Sequence, residues 1–147
     1  MPVISITPTI STSAYATGDV VGGKLTLEGV LMSRALLTHL AVFDDDGEGV
    51  QLDFFLFNAD LEGTYTDNAA FAINASDKAK WIGQIVIETG DYLSAGADKT
   101  GLKTPINLPL ERGANGNEDL FAVCVIRSST TFTATTDLRF DFGYILD

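Results

Sequence analysis

Leu138-Arg139-Phe140-Asp141-Phe142-Gly143-Tyr144-Ile145-Leu146 is the stretch that decides the fold class. Leu138, Phe140, Phe142, Tyr144 and Leu146 fall on one side of an extended chain, while Asp137, Arg139 and Asp141 fall on the other. That period of two describes a strand with one face in a core and one face wet. Gly143 interrupts the polar face and marks a bulge or a close backbone approach.

The same period, broken at short intervals by Gly, Asp, Asn and Pro, recurs upstream, as in an all-β sandwich or barrel. Asp119 to Ile126 is a near-continuous apolar run, as expected of a strand covered on both faces. Thr104 to Leu110 carries Pro105 and Pro109, which cannot donate to a ladder, so it reads as an edge strand or an extended crossing segment. Gly83 to Glu88 alternates, with Ile85 and Ile87 on one face. Leu36 to Phe43 and Val50 to Phe57 flank Asp44-Asp45-Asp46-Gly47-Glu48-Gly49 and predict a hairpin with an acidic turn. Val20 to Leu31 holds a strand behind Gly22-Gly23. Val3 to Ile6 is a short strand or part of an extended arm over residues 1–12. One segment favours helix, near residues 75–82, with Asn74 or Ser76 as its cap and Gly83 closing it. The expectation is a single domain over residues 1–147, an all-β two-sheet sandwich with one short helix, with jelly roll as the leading topology.

Nine Lys and Arg against twenty Asp and Glu give a net charge of −11. A nucleic-acid binder needs clustered cations, and here only Lys78 and Lys80 stand close together. Nucleic acid and an anionic membrane are therefore not expected partners; a basic protein surface is. The opening residues lack the charged-then-apolar order of a signal peptide, and no apolar run approaches a membrane span. A cytoplasm-like compartment is expected until the protein is used.

Catalytic and metal motifs are sparse. Asp44, Asp46, Glu48 and Gly49 match positions one, three, five and six of a calcium loop, but Phe55 stands at the twelfth, where a bidentate Glu is required. An EF-hand is excluded; a weaker calcium site stays open beside the plainer reading of a solvated turn. His39 is the only histidine, too few for an imidazole metal site or, without a nucleophile elbow, for a triad. Cys124 is the only cysteine, so no intrachain disulfide forms, and its apolar neighbours describe a buried, inert thiol. Gly18 to Gly23 and Gly113 to Gly116 read as turns, since neither has the ending of a phosphate loop. No cofactor is expected. Paired carboxylates of a hydrolase would want a cleft of aromatics, and Trp81 is the sole tryptophan.

Both ends of the chain carry a resemblance. Met1-Pro2-Val3-Ile4-Ser5-Ile6-Thr7-Pro8-Thr9-Ile10-Ser11, then Ala14-Tyr15-Ala16-Thr17-Gly18-Asp19 through Leu27, resembles small head proteins encoded near the major capsid gene of tailed phages. The ending from Thr133 to Asp147, with Tyr65-Thr66-Asp67-Asn68-Ala69-Ala70-Phe71 and Asp77-Lys78-Ala79-Lys80-Trp81-Ile82-Gly83, is similar to the same group. The stretch Gly29 to Gly63 departs most. The resemblance implies a capsid decoration (cement) protein: a non-enzymatic jelly roll, made in the host cytoplasm and seated on the outer surface of the virion. Its partners would be the major capsid protein and further copies of itself, as a dimer or trimer. The alternatives are another β-rich virion part (a tail-tube, head-completion or receptor-contacting module) and, more remotely, a carbohydrate-binding module. Candidate interface residues are Val3, Ile4 and Ile6, Asp44 and Asp46 in the acidic turn, and the large apolar Trp81 and Phe132.

Overall fold

A computed structural model describes residues 2–113 and 116–147. Met1 of the opening stretch lies outside them, as do Ala114 and Asn115 at the centre of the expected Gly113–Gly116 turn, whose ends are joined by the Gly116 N–H to the Gly113 carbonyl at 2.9 Å.

Ten strands follow in chain order: β1 (Val3–Ile6), β2 (Val20–Leu27), β3 (Ala35–Asp44), β4 (Leu52–Phe57), β5 (Trp81–Ile87), β6 (Tyr92–Ala95), β7 (Asp98–Lys103), β8 (Leu108–Leu110), β9 (Leu120–Ile126) and β10 (Leu138–Leu146). They form two antiparallel sheets. One runs β1-β10-β3-β7-β6 with β8 also beside β3; the other runs β2-β9-β4-β5. The pairing is nested: β1 with β10, β2 with β9, β3 with β7 and β4 with β5. That order, a long hairpin rolled into two sheets, is the jelly roll.

The strand that decided the class behaves as its pattern requires. Leu138, Phe140 and Phe142 are buried between the sheets, where Phe54 of β4 meets the rings of Phe140 and Phe142 edge-on at 4.9 and 5.9 Å. Such edge-to-face pairs add to the burial of the rings themselves. Gly143 faces His39 of β3, and the register steps there from Gly143 to Tyr144 opposite His39 and Leu37. Thr38 is the extra residue of this bulge, its carbonyl accepting from the Ile106 N–H at 2.7 Å. A Cβ on Gly143 would lie 1.9 Å from the His39 ring. Both readings of Gly143, bulge and close approach, therefore hold.

β9 is buried along its whole length, as its unbroken apolar run implied. Leu120, Ala122, Cys124 and Ile126 face the inter-sheet core. Phe121, Val123 and Val125 face outward, yet Leu61, Tyr65, Phe71 and Ile73 of the long β4–β5 connection lie over them as a second small core. Asp77 fastens this roof. Its carboxylate, fully buried, accepts from the Glu62 and Gly63 N–H groups at 2.8 and 2.9 Å, the Tyr65 hydroxyl at 2.7 Å and Lys80 Nζ at 3.0 Å. Burial pushes its pKa up, but these four donors outweigh that and hold it at about 2.

The expectations of a β3–β4 hairpin and of a helix closed by Gly83 are corrected. β3 and β4 do not form a hairpin: they belong to different sheets. Each strand must turn an apolar stripe inward, and Asp44 bends the chain across the gap by accepting from the Asp46, Gly47 and Gly49 N–H groups at 3.0, 3.0 and 2.8 Å. The expected short helix is present as a 3-10 turn over Ala75–Lys80, capped by the Asn74 side chain, and Trp81 already begins β5. Gly83 is inside that strand, where the Leu108 side chain would come within 3.0 Å of a Cβ. Of the two readings of Val3 to Ile6 the short strand holds, as an edge strand of its own sheet, and the chain beyond it stays docked: Pro8 and Ile10 are buried, and the Ile10 N–H reaches the Thr135 carbonyl at 3.1 Å. β8 agrees with the edge reading of the proline-bearing segment, since it pairs with β3 alone.

Gly143→Ala is expected to cost about 1–3 kcal/mol through overpacking against His39. His39→Ala in the same background should return part of it, read as urea midpoints of the single and double variants. Asp77, with its folded pKa below its unfolded one, contributes stability above about pH 4, and that contribution fades as pH falls towards about 2. Asp77→Asn should cost about 1–3 kcal/mol at neutral pH by leaving buried donors poorly paired. In urea titrations the variant should lose less stability than the parent between those two pH values.

Candidate partner interface

The two sheets treat their outer faces differently. The β2-β9-β4-β5 sheet is roofed by its own chain, whereas the outward side chains of the other sheet meet solvent. Alternation fixes which ones these are. With Phe140, Phe142, Leu40 and Val42 inward, Arg139, Asp141 and Ile145 of β10 and Ala41 and Phe43 of β3 point out. Cross-strand register then lines up Ile145 with Leu36 and Pro109, Asp141 with Ala41 and Leu102, and Arg139 with Phe43, Thr100 and Leu93. Leu93 is 76% exposed, and Val3, Leu102 and Ile145 are each about half exposed.

The charges at the centre of this face cancel. Arg139 Nε and Nη2 donate to the two Asp141 carboxylate oxygens at 3.1 Å each, and the guanidinium lies 4.2 Å from the centre of the Phe43 ring. Parallel bonds of this kind fix a guanidinium well and leave little net field. On a chain of net charge −11 the face is electrically quiet and largely apolar.

At one end it runs into a groove. A cavity of about 420 Å³ is lined by Arg34, Leu36, Pro109, Ile145 and Leu146. A second, of about 500 Å³, lies beside Met32, Ser33, Arg34, Glu111 and Arg112. Met32 is 61% exposed there. Arg112 holds the loop behind it, donating to the Leu31 carbonyl at 2.7 Å and to the Met32 carbonyl.

The residues expected at an interface do not come together. Val3 points outward on β1, but Ile4 and Ile6 face the core. Asp44 is buried, both its oxygens occupied by backbone amides. Asp46 accepts from Thr133 Oγ1 at 2.8 Å. Trp81 is 48% exposed but begins the other sheet. Phe132 is a core residue, packed edge-on to Tyr15 with centroids 6.0 Å apart. Leu36, Phe43, Leu93, Leu102 and Ile145, which share the open face, were not among the residues expected there. Ile145 carried a signal, an apolar residue at a polar-face position of the decisive strand; Leu93 and Leu102 sit in short strands too weakly patterned to assign a face.

Chemistry elsewhere is limited by burial and by what each group already holds. The Asp44 carboxylate is engaged by three backbone N–H donors that shape its turn. Among the described residues no three or more His, Cys, Asp or Glu side chains are gathered as a metal set. Burial pushes the Cys124 thiol well up, and a thiol held neutral is a poor nucleophile. His39 Nδ1 lies 3.4 Å from Thr38 Oγ1, its ring against Gly143. Among the described residues no helix is long and apolar enough to cross a membrane. Comparison with protein-family models, with curated proteins and with solved structures finds no match to this chain.

Cys124 should resist alkylation by iodoacetamide in native buffer and react once in urea, read as a mass shift; reaction in native buffer at the unfolded rate would show that β9 opens readily.

Proposed function

We propose that this chain is a non-enzymatic virion structural protein that decorates a tailed-phage capsid and stabilises it by bridging major capsid protein subunits on the outer surface. The observation that carries the reading is the bare outer face of the β1-β10-β3-β7-β6 sheet, contrasted with the roof on the other sheet. A protein that covers one sheet with its own chain and leaves Leu93, Leu102 and Ile145 in water is built to meet a surface. The jelly roll is at home in capsids, although fold alone does not assign a role, and the terminal resemblance supplies the virion context.

Size supports bridging over a single strong contact. Five strand rows about 4.8 Å apart, with about 23 Å of outward residues along β3, give a face of roughly 500 Å². A standard interface takes about 800 Å² from each partner, so one such face grips modestly. Several grips on a shared lattice raise the total through effective concentration. The acidic remainder keeps the unattached protein soluble and favours a basic rim on the capsid subunits.

Quantitative mass spectrometry of purified virions should find hundreds of copies, near a simple ratio to the major capsid protein. A few copies would indicate a connector, tail or receptor-contacting part, and absence from particles would sink the structural reading. Leu93→Lys with Leu102→Lys should leave the urea midpoint nearly unchanged while reducing occupancy on expanded capsids at least tenfold. Undiminished occupancy would move the contact off this face.

A further inference from the structure

β1 ends the six-stranded sheet, and nothing in its sequence blunts the edge. Sheet edges are ordinarily guarded by charges, prolines, bulges or a covering segment, because their outward N–H and C=O groups template another strand. The other edges show such guards. β2 carries Lys24 and an irregular register at Gly22-Gly23. β5 carries a bulge at Ile82, where its register with β4 steps. β6 is bracketed by Asp91, ion-paired to Lys103 at 2.8 Å, and by Asp98. Val3-Ile4-Ser5-Ile6 has no charge, no internal proline and an unbroken register with β10.

Hydrogen-bond parity shows which groups of this edge point out. The Tyr144 N–H donates to the Pro2 carbonyl at 3.1 Å, which makes Pro2–Tyr144 a bonded position. Bonded and non-bonded pairs alternate along an antiparallel ladder. Ile4 with Phe142 and Ile6 with Phe140 are then the bonded pairs, and Val3 and Ser5 turn their N–H and C=O groups away from the sheet.

We propose that a second copy of this chain pairs with this edge, antiparallel, about a two-fold axis through Ile4. A bonded pair must join outward groups on both strands, and in each copy those belong to Val3 and Ser5. The register is therefore Val3 opposite Ser5 of the second copy, Ser5 opposite its Val3, and Ile4 opposite its Ile4. Every outward group finds its match by symmetry, as an isologous contact requires. The edge brings no charge of its own against the −11 carried by each copy. The Ile4 side chains meet on the core side, and the bare outer faces continue across the axis into one surface. The pairing stands apart from the capsid reading; should both hold, each dimer offers two capsid-binding faces.

Sedimentation velocity of the purified chain tests this without any capsid. The expected result is a monomer–dimer equilibrium that shifts towards dimer with concentration and with added salt, since salt screens the repulsion between acidic copies. Ser5→Pro removes an outward N–H that the β10 ladder does not use, so it should give monomer with a near-parental urea midpoint. Ile4→Cys places two thiols at a non-bonded pair, about 4.5 Å between Cα atoms, close enough for a disulfide. With Cys124 buried, mild oxidation of this variant should yield covalent dimer, and adding Ser5→Pro should abolish it. Monomer at every concentration and salt, or a dimer that the Ile4→Cys variant fails to crosslink, overturns the proposal whatever the virion experiments find.

Discussion

β9 is covered on both faces, and much of the molecule follows from that. Its inward residues complete the core with Phe54, Phe140 and Phe142, while Phe121, Val123 and Val125 would stand in water without the β4–β5 connection. Covering them takes a long segment, and a long segment bearing polar backbone must be tied down. Asp77 does this with four donors on one carboxylate. The opposite sheet receives no such layer among the described residues, so the same chain has one closed side and one open one.

The acidity has two uses. Part of it remains on the surface, where it sets the net charge of −11. Another part is turned inward as a set of backbone acceptors. Asp44 and Asp77 hold three and two backbone amides respectively, Asp119 takes the Gly29 N–H at 2.8 Å, and Asp137 takes those of Thr133 and Ala134 at 3.1 and 2.9 Å. Asp67 joins the Tyr15 hydroxyl to the Gly22 amide at 2.6 and 2.7 Å. Loops that cannot pair in a sheet are satisfied by aspartates in this way, a local role for which that side chain is well suited. A composition that reads as surface charge is thus partly a framework for the connections.

The functional reading rests on the open sheet. Its centre is neutralised by Arg139 and Asp141, its margins carry exposed leucines, and its end opens into the Met32–Ile145 groove. These features suit docking to a surface, with affinity built from repeated modest contacts.

Period-two alternation from Leu138 to Phe142, the unbroken apolar run in β9 and the proline-bearing edge at β8 were legible in the sequence, because each is a local consequence of which faces are dry. They determined the all-β class, two layers and the nature of Gly143. The sheet partner of β4, the inward turn of Asp44, the burial of Phe132 and the exposure of Leu93 and Leu102 were not legible. Alternation tells a strand which side is apolar, but a hairpin and a crossing between sheets satisfy it equally. Which outer face receives the roof depends on contacts between residues far apart in the chain. Tertiary packing alone settled that, and with it the place of the candidate interface.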